Sequence, residues 1–457
     1  MNLHRLLLQR AAEKRPLTVA LIGAGKFGSM FLSQARRTPG MHVVAVADLS
    51  PQRARDSLSR TGWPAVQYAA PSLDEALKNG GTFITDDAGA LIERGAFEIA
   101  IDATGNPAAG IRHALACCAH GKHIVMVNVE ADALAGPYLA RRAAQAGIVY
   151  SLAYGDQPAL ICEMVDWARA AGFDVVAAGK GTKYLPAYHE STPDTVWGHY
   201  GFSSEMVAKG DFNAQMFNSF LDGTKSAIEM AAVSNATGLT PAPDGLSFPP
   251  CSVEDLPRAL RPRQEGGLLH HRGQVEVVSS LERDGRQVAR DLRWGVYVTF
   301  AADSEYVRRC FQEYGLVTDE TGNHSAMYKP FHLIGLELGI TAASIGLRGE
   351  PTGQPSGFRG DAVAVAKRDL KNGETLDGEG GYTVWGRLMP ARDSLERGAL
   401  PIGLAHGVKL LRPVTKGSVL TWDAIAAPDT DAARTRRRME TEFAAECGMQ
   451  RAAGAAP

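Results

Sequence analysis

The chain has 457 residues, about three times the usual single-domain length, so two or three domains are expected. It is 45% hydrophobic and 21% charged, with a formal net charge of −2 and a pI near 6.6. That balance suits a globular protein and gives no support to nucleic acid or an anionic membrane as a partner. The six cysteines (Cys117, Cys118, Cys162, Cys251, Cys310 and Cys447) form no CxxC pair and no zinc-type spacing. Sparse thiols of this kind predict a reducing, cytoplasmic setting.

Taken in order, residues 1–10 predict a short amphipathic helix rather than a signal segment, and no apolar run is long enough to span a membrane. Leu17–Ile22 is a compact apolar strand, and residues 27–37 carry apolar side chains at helical spacing. Further strands are expected at 43–47, 98–101, 124–127 and 148–152. Continuous apolar strands alternating with helices predict a parallel sheet covered on both faces. The expected fold class is therefore α/β, with an N-terminal Rossmann doubly wound domain over 1–152.

A central α+β domain is expected over 153–348, for catalysis, substrate binding and oligomerisation. It contains helices near 160–171, 217–237 and 332–344, a strand at 174–178, and a polar segment at 179–211. Alternating strands at 274–278 and 295–301 predict a mixed, half-exposed sheet. Residues 349–359 (GEPTGQPSGFR) read as a linker. A small all-β domain is expected over 360–430 and a tail over 431–457.

Gly23-Ala24-Gly25-Lys26-Phe27-Gly28 fits G-x-G-x-x-G directly after a strand and at the start of a helix. Asp48 lies at the end of the next strand, 20 residues past Gly28. This context predicts nicotinamide dinucleotide binding, with the pyrophosphate at the helix N-terminus. Asp48 favours NAD because a carboxylate repels a 2′-phosphate, while Arg53 could serve NADP. Thr104 and Gly105, in the loop 102–107, and Asn128 are expected at the nicotinamide side.

In the central domain Lys180 and Lys225 are candidates for handling the proton of a substrate hydroxyl or carbonyl, with Asp222 beside them. Lys225 and Glu229 could equally be a surface i, i+4 pair. Substrate contacts are expected from Glu130, Asp156, Gln157, Lys183, Lys329 and His332. Glu130, Asp132, Asp156, Asp222 and Glu229 could hold a divalent metal, but no local spacing assigns one.

Residues 121–128 (GKHIVMVN) resemble the segment that follows the Rossmann strands in homoserine dehydrogenases. The segments VNVEADALAGPYL (127–139), YSLAYGDQPA (150–159), GKG (179–181), FLDGTKSAIEMAAVSNATGL (220–239) and KPFHL (329–333) resemble the deoxyxylulose-phosphate reductoisomerase-like enzymes. VAVAKRDLKNGETL (363–376) and the segment 401–425 resemble a SAF domain. The resemblance covers nearly the whole chain. It implies an NAD(P)-dependent oxidoreductase, a homo-oligomer, acting on a small polar sugar or polyol, phosphorylated forms included, or reductive rearrangement as in isoprenoid biosynthesis. Val129 stands where homoserine dehydrogenases carry their lysine, which counts against homoserine oxidation. The resemblance implies NADPH, whereas Asp48 suits NAD. The alternatives are a simple dehydrogenase of a hydroxy acid, polyol or amino-acid-like substrate, and a dinucleotide-binding sensor.

Overall fold

The computed structural model describes residues 2–209 and 212–449. Residues 210 and 211 of the expected polar segment, and 450–457 of the expected tail, lie outside the described residues. The chain divides into two compact units, Met1–Leu160 with His332–Pro355, and Ile161–Phe331 with Ser356–Pro457.

The first unit is built on six parallel strands: β1 (Leu17–Ile22), β2 (Met41–Ala47), β3 (Phe83–Thr85), β4 (Ile99–Asp102), β5 (His123–Met126) and β6 (Tyr150–Leu152). Their order is β3-β2-β1-β4-β5-β6, so the winding reverses between β1 and β4. This is the expected doubly wound sheet. Val19, Leu21, Val43, Val46, Ile99, Ile101 and Val125 are buried in one cluster with Phe31 and Leu32. The helices start where the sequence supplies caps. Ser50 accepts from the Arg53 amide ahead of Pro51, and Asn106 accepts from the Ala109 amide ahead of Pro107. The short strand β3 escapes sequence reading because its three residues are all only half-buried and show no pattern.

The second unit holds a four-stranded mixed sheet of β7 (Asp174–Thr182), β8 (Gln274–Ser279), β9 (Val296–Ala301) and β10 (His324–Lys329), in the order β10-β9-β7-β8. β7 and β8 run parallel, and β9 is antiparallel to both β7 and β10. The sheet is mixed as expected, but β8 and β9 are buried along their whole lengths rather than half-exposed. The single helix expected over 217–237 is two, Ala214–Leu221 and Thr224–Thr237. Gly223 at φ +92° breaks them, a conformation only glycine adopts without strain.

The C-terminal strands are β11 (Gly360–Ala366), β12 (Thr375–Asp377), β13 (Val384–Pro390) and β14 (His406–Lys409), paired β11–β13 and β12–β14. They share one compact unit with residues 161–331, because helix Thr224–Thr237 packs on β11 and β13. Nor is 349–359 a free spacer. The Thr352 amide donates to Ser151 Oγ at 3.0 Å and its hydroxyl to the Leu152 carbonyl at 2.9 Å. Local Pro/Gly content marks the irregular backbone but cannot report what that backbone packs on.

The expected tail is also corrected. Asp431–Phe443 is a helix whose Arg436 is fully buried. Its guanidinium donates to both oxygens of Asp361 on β11, at 3.0 and 2.5 Å, and to Glu440 at 2.9 Å. Replacing Arg436 by Met would strand the Asp361 charge in the core. The expected loss is about 3–5 kcal/mol of stability, measured by urea denaturation; an unchanged midpoint would contradict this role.

Candidate functional site

At the carboxyl ends of β1, β2 and β4 a crevice of about 340 Å³ opens within the first unit. Gly23, Gly25, Asp48, Arg53 and Thr104 line it, together with Leu49, Asp86, Asn106, Arg112 and His113. A side chain at Gly23 (φ +100°) would press on the Ala103 carbonyl at 2.7 Å, so glycine keeps the β1 and β4 loops close. Gly25 begins the helix Lys26–Ala35 with nothing within 4 Å of a would-be Cβ. A pyrophosphate could approach that backbone and the helix end.

Asp48 is almost fully buried, and its carboxylate is engaged on both oxygens. Oδ2 accepts from the Ala24 amide at 2.8 Å, and Oδ1 from the Ser50 amide at 2.9 Å and the Arg53 guanidinium at 2.9 and 2.6 Å. Burial pushes this carboxyl up, but Arg53 and the two amides outweigh it and hold the acid below its ordinary range. The position therefore presents a neutralised pair, not a bare carboxylate.

Asp102 ends β4 with no exposed surface. It accepts from the Thr104 hydroxyl at 2.7 Å and pairs with His113 Nδ1 at 2.5 Å. The Asn128 amide group donates to Asp102, Thr104 and the Asn106 carbonyl, and its oxygen caps helix Val129–Gln145 at the Ala131 amide. Asn128 is thus corrected from a cleft residue to a buried brace of the β4 loop. Lys26, Phe27, Gly28 and Gly105 do not line the crevice either. Lys26 is exposed, and Phe27 packs against the core. Gly28 lies against the Gly23 carbonyl, the close helix–strand approach its motif position predicts. Sequence reading missed Arg112 and His113 because helical residues after the motif loop carry no local signature.

The substrate candidates fall in both units: Glu130, Asp156, Gln157 and His332 in the first, and Lys180, Lys183, Asp222, Lys225 and Lys329 in the second. Asp156 and Gln157 are buried, and Asp156 accepts from the Gln157 amide at 2.8 Å. Glu130 and His332 are half-buried. In the second unit Lys180 of β7 is buried in an ion pair with Glu229 of helix Thr224–Thr237. Glu229 is therefore no surface group. Lys225 is half-buried in the first turn of that helix. Lys183 donates to the His199 carbonyl at 2.5 Å and lies over the Tyr200 ring; burial, then Arg293, pulls its ammonium pKa down. Lys329 lies over the Phe331 ring at 5.6 Å.

Asp222 requires correction. It has no exposed surface, and its carboxylate accepts from the Thr224 amide at 2.9 Å and pairs with Lys367 at 2.8 Å. The Lys367 ammonium also donates to the Ser191 and Gly381 carbonyls, both at 2.7 Å. Burial raises the Asp222 pKa while Lys367 opposes it. This pair fastens the helix start to the C-terminal strands and is closed to substrate. Among the described residues no group of three or more His, Cys, Asp or Glu side chains could hold a metal ion, and no helix is long and apolar enough to cross a membrane.

Residues 155–338 match the family model described as Oxidoreductase DRL, catalytic domain. The central segment is similar to an oxidoreductase catalytic domain. No curated protein matches the chain. Among solved structures it is similar to an oxidoreductase from Agrobacterium radiobacter in complex with NAD+, L-tartaric acid and magnesium, at 17% identity over 36% of this chain and 44% of that one, TM-score 0.27. It is also similar to myo-inositol dehydrogenase from Lactobacillus casei in complex with NAD(H) and myo-inositol, at 13% identity over 40% and 50%, TM-score 0.28. The chain spans about half the length of the solved structures it matches. With scores this low, these likenesses decide neither ligand nor activity.

One buried acid in the first unit should be visible in solution. Asp132, on helix Val129–Gln145, accepts from the Tyr150 hydroxyl at 2.7 Å, and its other oxygen has no hydrogen-bond partner among the described residues. Burial pushes its pKa up to about 7, with the Tyr150 bond opposing. The folded state thus holds a proton that the unfolded state releases near the ordinary carboxylate pKa. Stability from this group is full below about pH 4 and is lost as pH rises toward 7. Asp132→Asn should melt progressively higher than wild type from pH 4 to 7, with a constant difference above. A difference independent of pH would show that Asp132 is ionised throughout.

Proposed function

We propose that the protein is an NAD(P)-dependent oxidoreductase acting on a small polar sugar or polyol, phosphorylated forms included. The observation that carries this reading is the crevice at the β1/β4 reversal, with glycines beneath it and the Asp48–Arg53 pair at its β2 side. Doubly wound sheets bind dinucleotides at this place. The match of residues 155–338 to an oxidoreductase catalytic domain supports the same reading.

The residues fit a dinucleotide. The N-terminus of helix Lys26–Ala35 would hold the pyrophosphate, and the Asp48–Arg53 pair would hold the adenosine ribose. Asp48 alone would exclude a 2′-phosphate. With Arg53 on its outer oxygen the exclusion weakens, so NAD is preferred by a small factor. When bound, the nicotinamide supplies or accepts the hydride. Lys225 then holds or delivers the proton on the substrate oxygen. Lys180, paired with Glu229, orients the polar substrate, a positioning role. Lys183 and Lys329 offer cations to a substrate phosphate.

The resemblance to reductoisomerase-like enzymes supports a narrower reading, reductive rearrangement of a phosphorylated deoxysugar. Simple dehydrogenation is the other reading. Turnover of 1-deoxyxylulose 5-phosphate to a branched product separates the first from the second. Dinucleotide binding with no turnover on a broad sugar and polyol panel would instead favour a sensor.

Two experiments test the assignments. Asp48→Ser should shift the NAD:NADP affinity ratio toward NADP, and Arg53→Ala should shift it toward NAD, both read by fluorescence titration. A wild type that binds NADP far more tightly than NAD would contradict the role of Asp48. Lys225→Met should leave dinucleotide binding intact and lower kcat about a hundredfold, the scale of one lost general acid or base. Normal turnover would remove Lys225 from the reaction.

A further inference from the structure

A second cleft, of about 280 Å³, lies wholly within the second unit and is not part of the dinucleotide crevice. His189, Asp244, Phe248, Trp385 and Arg387 line it. Three features mark it as built for a ligand. The first is a fixed aromatic platform. The half-buried Trp385 indole stacks on His189 at 3.7 Å and 22°. His189 is itself locked on both nitrogens: Nδ1 faces the Asp222 carbonyl at 2.6 Å, and Nε2 lies 2.9 Å from the Tyr184 hydroxyl. A carbonyl only accepts, so Nδ1 carries the proton and Nε2 accepts from Tyr184. Burial holds the imidazole pKa near 4, which keeps the platform neutral.

The second feature is Arg387. Its guanidinium donates to the Asp244 carbonyl at 2.9 Å and forms no ion pair among the described residues, so most of its planar fork is unused. The exposed Asp244 side chain at the rim adds an acceptor. The third is strain in the wall. Phe248 stacks on Tyr184 at 4.0 Å with φ +49°, a left-handed conformation that bulky residues keep only where surrounding structure imposes it.

A flat apolar face, a guanidinium with spare donors and a carboxylate within one small cleft match a compact ring bearing hydroxyls and one anionic group. We propose that this cleft is a second binding site for a sugar phosphate, with the sugar ring on Trp385, its phosphate on Arg387 and its hydroxyls toward Asp244. It is separate from the proposed hydride-transfer chemistry and does not depend on it.

The test is the indole N–H resonance of Trp385 in the full chain, identified by its loss in Trp385→Phe and followed during titration with ribose 5-phosphate, ribose and inorganic phosphate. Ribose 5-phosphate should shift it saturably, with ribose and phosphate at least about tenfold weaker. Arg387→Met should weaken the effect about tenfold or more, while Lys225→Met leaves it unchanged. Arg387→Lys keeps the charge but loses the fork, so it should also weaken binding and decides the matter if the Met variant fails to fold. No shift at Trp385, equal affinity in the Arg387 variants, or phosphate binding as well as the sugar phosphate would each overturn the proposal. Failure of Lys225→Met to turn over bears only on the catalytic reading.

Discussion

The first unit depends on one constraint: its sheet winds one way from β1 and the other way from β4, so the loops after these neighbouring strands must part without opening the core. Gly23 keeps the two loops packed together at their base, because any side chain there would strike the Ala103 carbonyl. Asp102 and Asn128 hold the other lip, with side-chain donors from Thr104, His113 and Asn128 converging on the buried carboxylate at the end of β4. The crevice is thus set by packing before any ligand arrives, and its polar groups are already oriented.

The second unit applies the same principle with buried charge. Lys180–Glu229, Asp222–Lys367 and Arg436–Asp361 each join segments far apart in sequence. Pairs of this kind contribute little net stability against apolar substitutes, but removing one partner is costly, so they specify which segments meet. Asp222–Lys367 is the pair that crosses from residues 161–331 to the C-terminal strands, which form one compact body with them although a Pro/Gly-rich stretch precedes them.

What could be read from the sequence follows from this division. The parallel sheet was legible because buried parallel strands are continuous apolar runs, and the glycine motif because its backbone demands are local. Asp48 was also legible, but its engagement by Arg53 was not, since solvated and paired arginines look alike in sequence. Asp222 was chosen beside Lys225 for its chemistry, and nothing nearby announces Lys367, which lies 145 positions further on. Arg112, His113 and the His189–Trp385 platform went unseen for the same reason: tertiary contacts bring them to their clefts.

The central claim is that the crevice over β1 and β4 takes a nicotinamide dinucleotide. Titration of NADH into the full chain, followed by nicotinamide fluorescence, tests it most directly, with Gly23→Val as the control for site. Saturable binding in wild type that is lost in a folded Gly23→Val variant is the predicted result. A folded wild type that binds neither NADH nor NADPH, or a Gly23→Val variant that binds as well as wild type, would contradict the account.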